Sequence, residues 1–307
     1  MRVLAHIHTF NDADIIDRTI EAVLRQTRPV DGILVVDNAS TDSTLDRPSL
    51  KHATVLRHAE NRGTSGALYS GFRFALEKDY DWIWAFDADS VAEPDALEKL
   101  LLLYASWPQD LRDKIGFLAC QHHNVADGQP QHGGLFTQHG MAGASPVPEA
   151  RYYPCHFTIW SGCLYRLAAV RQIGLPNPNY MLDWGEGEYG YRVMKAGYKG
   201  FTHQDAILHH NIRGALSFTP IEVKLGPAKF TLYEFAPIRV YYQSRNMVYF
   251  LLYEIAQGHR KLLLRTILGV ATQMVGFMLR PRNHGRHILA CIRGLWHGVT
   301  GNIAARY

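Results

Sequence analysis

Two aspartates one residue apart, Asp87 and Asp89, close the apolar run Trp82-Ile83-Trp84-Ala85-Phe86. Paired hard oxygen donors of this kind hold Mg2+ or Mn2+ against a diphosphate. The same spacing reads equally as a strand-end turn, where Asp is common, and the pair by itself leaves both open. A second acidic stretch, Asp183-Trp184-Gly185-Glu186-Gly187-Glu188, puts three carboxylates within six residues at the start of a helical pattern that ends near Gly197. Carboxylates there complement the positive end of a helix dipole. One that faces a bound ligand is also placed to take a proton from a hydroxyl. Further on, Ala206-Ile207-Leu208-His209-His210 reads as a short strand ending in two imidazoles. Nitrogen donors beside carboxylates suit Mn2+ more naturally than Mg2+.

The elements that must carry these groups alternate. Residues 2–8 read as a strand ending at Thr9-Phe10-Asn11-Asp12, and Ile15, Ile16, Ile20, Val23 and Leu24 then follow helical spacing. Gly32–Val36 is a second apolar strand, ending in the turn and capping residues Asp37-Asn38-Ala39-Ser40-Thr41-Asp42. Thr54–Arg57 is a third, running into Glu60-Asn61-Arg62-Gly63-Thr64-Ser65-Gly66 and a helix over about 67–77. With the Trp82–Phe86 strand this β-α-β-α order predicts an α/β fold with a mainly parallel sheet and right-handed crossovers. Three strands thus end in polar loops on one sheet edge, after Ile7, Val36 and Phe86, and ligands bind outside the carboxyl ends of such strands. No G-x-G-x-x-G and no G-x-x-x-x-G-K-[ST] occurs in the first loops, which weighs against dinucleotide and P-loop folds. Gly63–Gly66 either brings backbone N–H groups to a phosphate or is a helix-entry turn.

The 307 residues are enough for a full core, and the net charge of +4 suits an anionic ligand or a membrane surface without requiring nucleic acid. Cys120, Cys155, Cys163 and Cys291 show no C-x-x-C spacing and read as buried free thiols of a reducing compartment. The N-terminus shows no signal-peptide pattern, and no uninterrupted apolar stretch has transmembrane length. After the Ile115–Cys120 strand, residues 121–150 turn to Gly, Pro, Gln and His. Such a long loop is usually functional, and His122, His123, His132 and His139 read there as solvated side chains, since their spacing fits no zinc pattern. Tyr153–Tyr165 is strand-like again, broken by Ser161-Gly162, where the glycine implies a bulge or a close backbone approach. From 236 on, a helix opening Arg239-Val240-Tyr241-Tyr242-Gln243-Ser244-Arg245-Asn246 and the apolar Leu262–Leu279 read either as a buried hairpin or as an interfacial pair with Arg at lipid headgroups.

Thr9-Phe10-Asn11, Gln26-Thr27-Arg28-Pro29, Val35–Asp42, Asn61–Gly66 and Asp87-Ala88-Asp89, in that order over the first third of the chain, resemble the opening of a family 2 glycosyltransferase. The resemblance implies a GT-A, Rossmann-like fold, a nucleotide-diphosphate sugar donor, a divalent metal (Mn2+ or Mg2+) and transfer with inversion. It puts Thr9 and Asp37 at the base and ribose, within nucleotide-sugar loops that also contain Asn11, Asn38, Asn61, Gly63 and Gly66. Asp87 would lie near the ribose and diphosphate, Asp89 would be the principal metal ligand, and Ser161-Gly162 would lie beside the donor sugar. The family pattern acidic-x-Glu-Tyr/Phe-x-x-Arg maps the base onto Glu186 and an orienting or acceptor-binding partner onto Glu188. The family more often has Asp as base, which keeps Asp183 as the alternative. A histidine completing the metal shell aligns with His209 ahead of His210.

The tail, with Tyr241-Tyr242…Arg245-Asn246 and Gly294–Gly301, resembles bacterial rhamnosyl- and galactofuranosyltransferases. That implies a dTDP-rhamnose or UDP-galactofuranose type of donor, a glycan or lipid-linked saccharide acceptor, and a cytoplasmic protein, peripheral on the inner membrane face. The expected organisation is a catalytic domain over 1–235, nucleotide-binding to about 120 and acceptor-binding beyond, and a C-terminal helical segment over 236–307 that associates with membrane or oligomerises. Two other classes compete: a non-catalytic nucleotide-sugar or glycan-binding protein, and a sugar-phosphate nucleotidyltransferase. The second needs a basic glycine-rich loop where Thr9-Phe10-Asn11-Asp12 stands. A processive synthase is disfavoured by the lack of transmembrane stretches and of a Q-x-x-R-W element.

Overall fold

The structure is a computed structural model that describes residues 1–138, 140–210, 219–225, 228–255 and 285–307. His139 and the apolar Leu262–Leu279 segment lie outside the described residues. The chain divides into two compact units, Met1–Phe136 with Ala142–Pro178 and Gly185–Ala215, and Thr137–Met141 with Asn179–Trp184 and Leu216–Tyr307.

In the first unit the expected alternation is present. β1 (Val3–Thr9), α1 (Ile16–Leu24), β2 (Gly32–Asp37), β3 (Thr54–Arg57), α2 (Gly63–Glu77) and β4 (Trp82–Asp87) follow in order. β5 (Val91–Ala92), α3 (Ala96–Ser106), α4 (Gln109–Asp113) and β6 (Ile115–Asn124) come next, then the short β7 (Pro130–Gln131), β8 (Gly134–Thr137) and β9 (Gly140–Gly143). β10 (Tyr152–Cys155), β11 (Cys163–Arg166), α5 (Leu167–Ile173), α6 (Gly185–Lys195) and β12 (Lys199–His210) complete it. The sheet order is β10-β12-β6-β11-β4-β1-β2-β3. β3, β2, β1 and β4 are parallel, as are β6 and β12, while β11 lies antiparallel between β4 and β6. A mainly parallel sheet is therefore correct, with β11 and the edge strand β10 reversed and the short β5 and β7 also antiparallel, which a β-α-β reading does not foresee.

Strand alternation builds the two cores. Val3, Ala5, Ile7, Trp82, Trp84 and Phe86 face α1 and α3, packing on Ile16, Ile20, Leu97 and Leu100. Leu4, Leu34, Val36, Ile83 and Ala85 face the other way, onto Leu68 and Phe72 of α2 and Tyr189 and Val193 of α6. A sheet covered by helices on both faces explains why its strands read as near-continuous apolar runs. The predicted 121–150 loop is shorter than expected. β6 continues to Asn124, so His122 is a strand residue, 1% exposed, rather than a solvated loop histidine.

The second unit holds the hairpin β13 (Thr219–Leu225) and β14 (Ala228–Glu234), then α7 (Pro237–Tyr249), which runs into a π-helical turn, Phe250–Ile255. After the undescribed stretch comes α8 (Gly285–Val299), packed along α7. Arg245 of α7 is 1% exposed and is satisfied by carbonyl oxygens of Asn179 (2.6 Å) and Ala305 and by Asn246 Oδ1 (2.9 Å). A buried guanidinium needs such a full set of acceptors.

Candidate active site

Asp87 is the last residue of β4, and its neighbour in register on β1 is His8. His8 Nε2 lies 2.9 Å from Asp87 Oδ1, while Asp87 Oδ2 faces His210 Nδ1 at 3.8 Å. Asp89 Oδ1 is 3.9 Å from the same nitrogen, and Ser90 Oγ holds that ring at 3.0 Å. One donor atom each from Asp87, Asp89 and His210 lies within 4.8 Å of the others. Two carboxylate oxygens and an imidazole nitrogen, all partly exposed at a strand end, fit a divalent ion of the Mn2+ type. His210 is thus the imidazole that meets the D-x-D pair. His209, the residue expected there, has Nε2 2.7 Å from Glu93 Oε1 instead. The reason is the strand period: β12 includes both histidines, and successive side chains point to opposite faces.

Electrostatics at this edge follow from burial and pairing. Burial alone would raise the Asp87 carboxyl, but the hydrogen bond and charge of His8, then His210 and His122, bring it down to about 2. Burial would likewise lower His8, yet the hydrogen bond and charge of Asp87 carry it above its ordinary value. His122 Nε2 sits 2.5 Å from the carbonyl oxygen of Ser161. Since a carbonyl only accepts, that nitrogen carries the proton. Ser161 Oγ in turn accepts from the backbone N–H of Asp87 at 3.1 Å, and Gly162 N–H donates to Ala85 O at 2.7 Å. Gly162 has φ 75°, and a Cβ there would crowd Leu208 and Cys120 at 3.1 and 3.2 Å. The Ser161-Gly162 pair therefore clamps the end of the D-x-D strand, a role its glycine alone only hinted at.

His122 also makes a measurable prediction. Burial lowers its pKa to about 4 against the donated Ser161 bond, and burial lowers His6 and His58 too. The folded state keeps these rings neutral, so the unfolded chain takes up protons first as the pH falls below about 6.5. Stability is accordingly lost between pH 6.5 and 4, His122 alone accounting for on the order of 3 kcal/mol. His8 acts in the opposite sense, its contribution present below pH 6.5 and lost as the pH rises through its folded value. Urea midpoints measured across this range in EDTA should fall with acid, and His122→Gln should flatten the fall.

The other two strand ends converge on the same edge. Thr9 Oγ1 donates to Asp12 Oδ2 (2.8 Å), which also accepts from Phe10 N–H (2.9 Å). Asn11 is left-handed, φ 57°, its N–H bonded to Ser40 Oγ and its Oδ1 accepting from Thr41 N–H. Asp37 is fully buried, accepts from Ser40 N–H at 3.1 Å, and has Arg57 Nε 3.3 Å away. Asn38 donates to Gly63 O (3.2 Å) and accepts from Arg62 N–H (3.3 Å), with His58 Nδ1 2.9 Å away, so it fastens β2 to the start of α2. Asn61 Oδ1 accepts from Gly63 N–H at 2.8 Å, and Gly63 and Gly66 are buried in the first turn of α2. The expected helix begins four residues earlier than its apolar spacing implied, because glycines carry no periodicity.

The acidic stretch divides. Glu188 is buried and takes a two-pronged contact from Arg192, Nε at 2.5 Å and Nη2 at 3.1 Å. Arg192 also donates to the carbonyl oxygens of Ile173 and Leu175, so this pair ties α6 to the segment after α5. Glu186, half-buried, lies in the first turn of α6. In the second unit Asp183 is held by Arg239 through Nε (2.9 Å) and Nη2 (2.7 Å). Asp183 and Trp184 are both left-handed, φ 55° and 67°, and Asn246 Nδ2 donates to the carbonyl oxygens of Leu182 and Asp183. Sequence reasoning gave no role to His8, Ser90, Asp12 or Arg239, though His8 had a signal as a polar side chain in an apolar strand. Arg192 is the arginine that closes the acidic-x-Glu-Tyr/Phe-x-x-Arg pattern.

Comparison with known proteins bears out the resemblance. Residues 5–115 match the model of the family described as Glycosyl transferase family 2. The chain is 38% identical over 106 residues to an undecaprenyl-phosphate mannosyltransferase of Micrococcus luteus, covering 33% of this chain and 43% of that protein. Over 227 residues it is 26% identical to the galactofuranosyltransferase GlfT1 of Mycobacterium tuberculosis, covering 71% and 73%. The chain thus spans less than half of the first relative and about three quarters of the second. A mannosyltransferase of Pyrobaculum calidifontis, solved with GDP-Man and Mn2+, shares the fold at a TM-score of 0.55, with 14% identity over 97% of this chain and 87% of that one. The match to the family 2 glycosyltransferase model thus lies in the first part of the chain, residues 5–115, on a GT-A fold shared with the solved mannosyltransferase.

Proposed function

We propose that the chain transfers a sugar, with inversion, from a nucleotide-diphosphate donor to a hydroxyl of a glycan or lipid-linked saccharide at the cytoplasmic membrane face. The observation that carries this is the meeting of Asp87, Asp89 and His210 at the β4 edge, beside the loops after β1 and β2. Thr9, Asn11, Asp37 and Asn38 line the base and ribose side. Asn61, Gly63 and Gly66 form the N-terminal turn of α2, whose positive dipole end favours phosphate. Asp87, Asp89 and His210 would hold Mn2+ or Mg2+, which supplies positive charge against the departing diphosphate. His8 fixes one oxygen of Asp87 so that the other faces the pair. Glu186 takes the proton of the acceptor hydroxyl, while Arg192 and Glu188 fix the helix that carries it. Ser161-Gly162 sets the strand end against which the donor sugar lies. The galactofuranosyltransferase relative favours a UDP-galactofuranose donor over dTDP-rhamnose, and both remain in the test.

A thermal-shift screen against UDP-, dTDP- and GDP-sugars with Mn2+ present checks the reading. The true donor at a hundredfold excess over its Kd stabilises the fold by about 2.7 kcal/mol, a shift of several degrees. Turnover of that donor in a hydrolysis assay should stop in EDTA. A shift without turnover, even with candidate acceptors, supports the binding-protein alternative instead.

A further inference from the structure

Charge is distributed unevenly along the chain. Of its 32 Lys and Arg and 28 Asp and Glu residues, eight of the former and none of the latter follow Glu254. The last 53 residues therefore carry +8, and the first 254 carry −4. Within that basic stretch α8 displays an apolar stripe. Ile288, Leu289, Ile292, Trp296 and Val299 are exposed by 37, 58, 52, 65 and 53%, and at 3.6 residues per turn they share an arc of about 100°. Arg286 and Arg293, both exposed, border one side of it.

The stripe is fixed outward. The opposite face of α8 is Ala290, Cys291, Gly294 and Gly298, all buried. A Cβ on Gly294 would come 2.4 Å from Tyr241 O and one on Gly298 2.7 Å from Arg245 O, so the two helix backbones touch there and α8 cannot roll. Tyr241 Oη and His297 Nδ1, 2.7 Å apart, and His287 Nε2, 3.0 Å from Phe235 O, pin both ends of the contact. A fifteen-residue helix is about 22 Å long, too short to cross a bilayer but long enough to lie in its interface.

We propose that this face of α8 docks on an anionic lipid bilayer, the apolar stripe entering the headgroup–acyl boundary and Arg286 and Arg293 reaching the lipid phosphates. Trp and Arg at the two levels of such a helix match the chemistry of that boundary. A second copy of the chain fits poorly. A two-fold contact would bring the same patch against itself, arginine beside arginine, with no carboxylate in the last 53 residues to pair them. The inference rests on the membrane-face reading of the function only for its purpose, and the two are measured separately.

The test is flotation of the whole protein with phosphatidylcholine vesicles, with and without phosphatidylglycerol. Wild type should float with the anionic vesicles and lose that binding as salt is raised. Ile292→Glu with Trp296→Glu should abolish flotation, and Arg286→Gln with Arg293→Gln should weaken it about fivefold per arginine. All four positions are exposed, and unchanged melting confirms intact folds. Donor turnover should be unaltered in both variants, so loss of turnover in wild type would strike the proposed function and not this surface. The proposal falls if wild type ignores anionic vesicles, if the glutamate variant still floats, or if that variant converts a wild-type dimer or complex with another protein to monomer.

Discussion

Replacing Glu186 by Gln is expected to slow sugar transfer about a thousandfold while leaving donor affinity within about threefold. Gln has the shape of Glu and no capacity to accept the acceptor's proton, so the loss belongs to the chemical step. The position favours this residue. Glu186 occupies the first turn of α6, is half-buried, and stands at the acidic position of the acidic-x-Glu-Tyr/Phe-x-x-Arg pattern. Glu188 is clamped by Arg192, which in turn holds two carbonyl oxygens, and removing either partner of such a buried pair costs about 3–5 kcal/mol. Asp183 is gripped by Arg239 in the second unit and sits in a left-handed turn. Asp183→Asn should therefore affect folding stability more than the transfer rate. Single-turnover transfer and calorimetric donor binding, measured on both variants, separate the two. Transfer that survives in Glu186→Gln and vanishes in a folded Asp183→Asn would move the base.

What the sequence revealed is what periodicity and order encode. The apolar runs of β1, β2, β4 and β6 and the polar residues that end them were legible because a sheet covered on both faces demands such runs. Asp87 and Asp89 gained meaning from the motifs around them rather than from their own spacing. The reversed strand β11 was not legible, since its four residues, Cys163-Leu164-Tyr165-Arg166, carry no sign of direction. The partners of the site were hidden for a different reason. His8 meets Asp87, and His122 meets Ser161, only through strand register and packing between residues 79 and 39 positions apart. Polar residues in the middle of apolar strands, His6, His8 and His122, were the available clue. Burying an imidazole is unfavourable unless pairing offsets it; His8 is paired with Asp87 itself and His122 with Ser161, whose hydroxyl holds the Asp87 N–H.

The choice between adjacent histidines is where sequence order and geometry part, and it decides the second large prediction. His210→Ala and Asp89→Ala should each lower Mn2+ affinity by about a hundredfold or more, since removing a ligand must exceed the tenfold to hundredfold loss from disturbing the groups around one. Transfer at fixed low Mn2+ should fall with it, and excess Mn2+ should restore His210→Ala more fully than Asp89→Ala, because a carboxylate also supplies charge. His209→Ala should leave affinity nearly unchanged, its Nε2 being engaged by Glu93 on the other face of β12. Electron paramagnetic resonance of Mn2+ titrated into each variant reads the affinity without turnover. Turnover that persists in EDTA and in Asp89→Ala would remove the metal from the mechanism altogether. A loss confined to His209→Ala would mean that β12 presents its other face to the D-x-D pair when an ion is bound. A one-residue slip of that strand would require this, and it would carry Ser90 out of reach of His210.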